Sequence, residues 1–254
     1  MRCIWFVLII SLLASACGKK GALIYPDQLV PEAPGFVTLR QTGQAMVLSF
    51  VLPRKDLAGH HLTDLSGVKV IKREAIMAQG EECSNACIDP LSVFRTIYAD
   101  VQDERSKRYG STVVTLDSNV TIGNRYSYLL VPFTKNGVDG QKSAPVKAAM
   151  QEPPKSPELK AVSAPTEIIL KFSGELPFTG TFLGYNLYRT TRGEAMPFIP
   201  LNKAPLQVSS YTDSGLDRHR IYIYGARTVV QMPSGEVIES ILSNQAEAAL
   251  KNEE

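Results

Sequence analysis

Apolar and polar residues alternate in short runs along most of the chain, each run closed by a turn. Val47-Leu48-Ser49-Phe50 stops at Pro53, and Ile168-Ile169-Leu170-Lys171-Phe172 stops before Pro177. Val68-Lys69-Val70-Ile71-Lys72 and Tyr185-Asn186-Leu187-Tyr188-Arg189 each follow a glycine, Gly67 and Gly184. Tyr126-Ser127-Tyr128-Leu129-Leu130-Val131 answers to Tyr222-Ile223-Tyr224-Gly225-Ala226-Arg227. Period-two alternation rich in β-branched and aromatic residues predicts half-buried strands. Strands at this spacing, with no helical heptads between them, predict an all-β fold of the sandwich type.

The two halves repeat each other. Asp117, Val120 and Tyr126 stand 96 residues before Asp213, Leu216 and Tyr222. Several positions held at one offset are the mark of a duplication. Gly67 and Gly184 are 117 residues apart, so the first copy carries about 21 extra residues before its Tyr126 strand, with Cys83 and Cys87 inside them. The Phe50 strand is a further five residues out of step, which lengthens the loop around His60-His61. Pro153-Pro154-Lys155-Ser156-Pro157 divides the copies, the composition expected of a domain boundary.

Both copies resemble fibronectin type III domains. That family has an apolar strand with a large aromatic and a nearby proline, matched by Phe50/Pro53 and Phe172/Pro177. Its next strand often reads Tyr-x-Leu-Tyr-Arg, as residues 185–189 do in full and residues 68–72 do loosely. Leu216 to Tyr222 and Val120 to Tyr126 fit the Leu-to-Tyr spacing of its tyrosine corner, and Gly137…Ser143 and Gly235…Ser240…Ser243 fit the Gly-then-Ser turn that follows. The resemblance covers roughly residues 33–248 and implies two tandem immunoglobulin-like sandwiches, at 35–151 and 158–248, joined by a linker at 152–157 and followed by a tail at 249–254. Aromatic side chains of facing sheets would fill each core, and each corner Tyr would satisfy a backbone group. The tail from Gln245 onward is rich in Ala and Glu and predicts a short helix or a frayed end.

The N-terminus changes the picture. Arg2 precedes an apolar run from Ile4 to Leu13, and Ala14-Ser15-Ala16 then leads into Cys17. That is the pattern of a signal peptide, and the run is about half the ~20 residues a membrane-spanning helix needs. Small residues ending in Cys resemble the lipobox of bacterial lipoproteins, with Ala14 where that family favours Leu. The resemblance implies a signal peptide at 1–16, lipidation (diacylglyceryl and commonly palmitate) at Cys17, and a Pro-containing tether at 17–34. Gly18 after Cys17 implies the outer membrane of a diderm bacterium. The opening Cys17-Gly18-Lys19-Lys20-Gly21-Ala22-Leu23-Ile24-Tyr25-Pro26 also resembles that of a small lipopeptide family that assists assembly of the lipopolysaccharide export pore.

Charge and cysteines then narrow the class. A net charge of +2 over 254 residues gives no basic face for nucleic acid. With Cys3 in the signal and Cys17 lipidated, the remaining Cys83 and Cys87 are expected to pair as a disulfide in an oxidising compartment. A zinc site is the rival, but C-x3-C without a second pair supplies too few ligands.

No residue set reads as catalytic, and no cofactor or metal is implied. His60-His61-Leu62-Thr63-Asp64 has two imidazoles and a carboxylate, but neighbours in an extended segment point opposite ways. His219, the patches 217–220 and 105–108, and the Asn119-Val120-Thr121 sequon read as solvated surface. There is no Gly-x-Ser-x-Gly elbow and no phosphate-cradling glycine loop. The expectation is therefore a non-enzymatic, lipid-anchored envelope protein that binds or spaces a protein partner. The insertion 76–110 is the candidate contact surface, because loops that long are uncommon without a role. A surface glycan is the alternative ligand, with Phe178 and Phe182 as its aromatic platform.

Overall fold

The computed structural model describes residues 23, 25–76, 93–101 and 103–251. The chain is built from strands. In the first half these are β1 (Gly35–Thr42), β2 (Ala45–Val51), β3 (Leu65–Ile76), β4 (Val93–Tyr98), β5 (Ser106–Tyr109), β6 (Thr112–Asp117), β7 (Asn124–Thr134) and β8 (Val146–Ala149). The second half holds β9 (Glu158–Ser163), β10 (Glu167–Ser173), β11 (Thr181–Thr191), β12 (Ser210–Ser214), β13 (Tyr222–Gln231), β14 (Val237–Glu239) and β15 (Ala246–Ala248). A 3-10 turn at Pro26–Gln28 precedes them.

In the first sandwich β1-β2-β6-β5 faces β4-β3-β7-β8, and in the second β12-β10-β9 faces β11-β13 with β14 and β15. Three strands (β1-β2-β6 in the first copy, β9-β10-β12 in the second) against a sheet centred on β3 and β7 or on β11 and β13 is the fibronectin type III, immunoglobulin-like arrangement. Each sandwich has its own core. Phe50, Val68, Val70, Tyr126, Tyr128 and Leu130 centre the first, and Ile168, Leu170, Phe172, Leu187, Tyr224 and Ala226 the second. The alternation read from the sequence is the cause: every second residue of these strands faces the opposite sheet.

The repeat extends to irregularities. β3 is bulged against β7 between Leu65 and Gly67, and β11 against β13 between Phe182 and Gly184, the same place in both copies. At Gly67 the strand passes against the backbone of Ile97 and Tyr98, and at Gly184 (φ +134) against that of Leu206. Neither position has room for a Cβ, which explains the glycine ahead of each third strand.

Four expectations are refined. The 76–110 insertion is not simply a loop: β4 extends one sheet along β3, and β5 extends the other along β6. Among its described residues the tail does not turn helical, because Ala246–Ala248 pairs with Tyr222–Tyr224 and Ala248 joins the second core. The tether is tied down from Gln28 onward, with Ala58 N donating to Gln28 O (2.9 Å), Leu57 N to Val30 O (3.1 Å) and Gln141 N to Pro31 O (2.8 Å). The sandwiches are also not joined by the linker alone, since the end of β1 pairs in parallel with β14, Gln41 opposite Ile238 and Thr42 opposite Glu239. One sheet therefore runs β11-β13-β14-β1-β2-β6-β5 through both sandwiches.

Candidate functional site

Each sandwich holds a buried polar cluster built by the duplication. In the first, the Tyr128 hydroxyl donates to Asp117 Oδ2 (2.6 Å), and Lys72 Nζ meets the same oxygen at 2.7 Å. In the second, Tyr224 donates to Asp213 Oδ2 (2.8 Å), and Arg189 Nη1 lies 2.7 Å from Asp213 Oδ1. The cation also sits over the corner ring, Lys72 at 4.7 Å from the Tyr126 centroid and Arg189 at 5.7 Å from that of Tyr222. Burial, and then the carboxylate each one bonds, push both Tyr128 and Tyr224 hydroxyls far above their ordinary value. Each bond fastens one sheet to the other, Tyr128 of β7 to Asp117 of β6 and Tyr224 of β13 to Asp213 of β12.

The tyrosine corners close as the spacing implied. Thr121 N donates to the Tyr126 hydroxyl at 2.7 Å, and Asp217 N to the Tyr222 hydroxyl at 2.8 Å. The Gly-then-Ser turns do matching work, since Ser143 Oγ accepts from Leu130 N and Ser243 Oγ from Ala226 N. Asp117 and Asp213 stood out in the sequence for their offset, but their tyrosine and cationic partners did not. The partners' own offsets, 96 for Tyr128 to Tyr224 and 117 for Lys72 to Arg189, were the signal that would have found them.

The remaining candidates disperse. His60 Nδ1 lies 3.0 Å from Asp56 Oδ2, and Asp56 Oδ1 accepts from His60 N at 2.7 Å, closing a turn. Among the described residues no three His, Cys, Asp or Glu side chains gather as metal ligands. His219 lies on an exposed turn, its N–H bonded to Asp217 Oδ1. Phe182 packs edge-on against Tyr185 at 5.1 Å, whereas Phe178 is 96% exposed, so the two do not form one aromatic platform. Cys17, Cys83 and Cys87 lie outside the described residues.

The most concentrated chemistry is at the junction. The buried Glu239 carboxylate meets Arg40 Nη1 at 2.8 Å and accepts from Thr42 Oγ1 (2.9 Å), the Tyr188 hydroxyl (2.8 Å) and Asn186 Nδ2 (2.5 Å). Burial alone would raise its pKa, but Arg40 and these donors outweigh it and hold the carboxylate below its ordinary value. Arg40 also donates to Phe198 O at 2.8 Å, and Gly43 N to Glu239 O at 2.9 Å. Below it, Gln41 binds the Gln151 backbone through both amide atoms, and Gln151 and Ala149 donate to Glu236. Arg227 lies over Tyr188 at 5.6 Å, and burial lowers its pKa. Its Nε and Thr228 Oγ1 are the buried side-chain atoms lacking a partner among the described residues.

No protein-family model matches this sequence, and no curated protein matches it. Among solved structures the chain is similar to the FN1–FN3 domains of chicken CNTN1, at 12% identity over 87% of this chain and 68% of that one, with a TM-score of 0.30. A structure described as a myokine is similar at 13% identity over 39% of this chain and 99% of that one, also with a TM-score of 0.30. Both scores are low, and the fold rests on the strand order itself.

Proposed function

We propose that this chain is a non-enzymatic lipoprotein of the cell envelope, anchored through Cys17, whose two sandwiches act as one stiff arm that presents a binding edge. The observation that carries the reading is the parallel β1–β14 pairing with Glu239 buried across it. A flexible tandem needs no such bond, whereas a spacer of fixed length does. Outer-membrane placement follows the residue after Cys17 and rests on the lipobox resemblance.

The binding edge is β4. It ends the β4-β3-β7-β8 sheet and leads out of the Cys83–Cys87 segment, and Thr96 and Tyr98 are exposed on it. An edge strand offers unpaired backbone groups to an extended partner, which gives affinity through the main chain and specificity through alternate side chains. A protein partner suits this edge better than a glycan does, because among the described residues no second ring packs beside the exposed Phe178.

The test is a photo-reactive residue at Thr96 in intact cells, with Val162 of β9 as control and mass spectrometry of what is captured. One envelope protein captured from Thr96 and not from Val162 is the expected result. Equal capture at both sites, or none, would remove the binding edge. Replacing residues 79–90 by a short Gly-Ser linker should weaken capture while sparing β4.

A further inference from the structure

We infer that one end of the first sandwich rests on the lipid bilayer; this inference builds on the anchored reading above. The end is formed where Val30-Pro31 is gripped between the β2–β3 and β7–β8 connections, through the hydrogen bonds from Leu57 N and Gln141 N. It displays apolar side chains to solvent: Tyr25 is 63% exposed, Leu29 51% and Val138 48%, with Leu57 beside them. A scatter of exposed apolar residues is ordinary, but four at one pole, next to a lipidated residue, is a specific arrangement.

Chain length says what covers them. Tyr25 stands eight positions after Cys17, a reach of at most about 28 Å even if fully extended. From Gln28 the chain is fastened to the sandwich, so this pole cannot move far from the lipid. Tyr settles at the headgroup level, and an exposed Leu buries at the boundary between headgroups and acyl chains. Arg54, Lys55, Lys69, Lys135 and Lys142 are matched in number by Asp27, Glu32, Asp56, Asp64 and Asp139, with Lys69 paired to Asp139. Contact is therefore apolar and does not require anionic lipid.

The geometry sends the rest of the molecule outward. Only Gln41 and Thr42, the last residues of β1, pair with β14, so the second sandwich joins at the end of β1 away from this pole. Its His219 turn lies where β13 begins, away from the turn that leads into β14. The lipid-seated pole and the binding edge then belong to one oriented body.

The only tryptophan of the chain is Trp5, in the signal peptide, so a tryptophan placed in the mature chain reports alone. The full chain is expressed in a diderm host carrying Leu29→Trp, Val138→Trp or His219→Trp, labelled with palmitate, purified and reconstituted into phosphatidylcholine vesicles with or without brominated phosphatidylcholine. Brominated lipid should cut the fluorescence of Leu29→Trp and Val138→Trp at least twofold and leave His219→Trp unchanged. Quenching of Leu29→Trp alone would put only the tether at the lipid and overturn the inference. So would equal quenching of Val138→Trp and His219→Trp in palmitate-labelled protein. Absence of palmitate on Cys17 would instead remove the anchored reading, and this inference with it.

Discussion

Arg40 on the first sandwich and Glu239 on the second form an ion pair of 2.8 Å between adjacent strands of one sheet. The pair is not on the linker; it lies where β1 and β14 run in parallel, and Thr42, Asn186 and Tyr188 supply the carboxylate's other partners. A charge desolvated in this way must keep its partners or lose stability.

Glu239→Ala should therefore loosen the junction and not the cores. Removing one member of a buried pair costs about 3–5 kcal/mol, and the lower end applies because Arg40 still reaches water. In chemical denaturation the native chain should unfold in a single transition and Glu239→Ala in two, with the cores largely intact. One unsplit transition with a loss under about 1 kcal/mol would show that the pair does not couple the sandwiches.

The same carboxylate sets an acid limit. Its native pKa lies below the ordinary 4.5, so its contribution is complete above that value and is lost as pH falls through the depressed native one. Unfolding followed from pH 7 downward should show the junction weakening below about pH 4.5, and Glu239→Gln should flatten that part of the profile. An unchanged profile in Glu239→Gln would assign the acid sensitivity to another group.

Tyr128→Phe and Tyr224→Phe test the duplicated clusters. Each removes a hydroxyl that donates to a buried aspartate, a bond to a charged group worth about 1.5–3 kcal/mol. Each should destabilise its own sandwich by that amount, and the double variant should be additive because the sites share no partner. Hydrogen exchange resolved by sandwich distinguishes the two.

Gly184→Ala should unseat the segment that covers the outer edge of β11. The added Cβ would stand 2.5 Å from Leu206 O, against the backbone bonds that tie Tyr185 to Leu206. Backbone there cannot yield as a flexible side chain would, and φ +134 adds strain. Faster hydrogen exchange at residues 201–206, with the core of β10 still protected, is the expected outcome. Unchanged exchange would mean that the segment is held elsewhere.

Much of the fold is written in local pattern. Strands such as Val68–Lys72 and Tyr185–Arg189 are long enough to show their period, and the offsets of Asp117, Tyr126 and Gly67 expose the duplication before any contact is known. What stayed hidden was non-local. β14 is three residues long, and its pairing with β1 joins positions some 200 apart, which no window of sequence contains. Glu239 reads as one more acid in a turn; only the meeting of the two sandwiches makes it the buried centre of a junction. β4 and β5 were obscured because they are short edge strands inside an insertion. The Ala-rich tail misled because a propensity for helix yielded to an open place beside β13.

Rigidity between the sandwiches is the claim on which the spacer reading stands, and residual dipolar couplings measure it directly. Amide couplings collected across residues 35–149 and 158–248 should fit one alignment tensor with the relative orientation fixed by β1 and β14. Glu239→Ala should then relax the fit into two tensors. Two tensors of different magnitude in the native chain would contradict the junction, and with it the stiff arm.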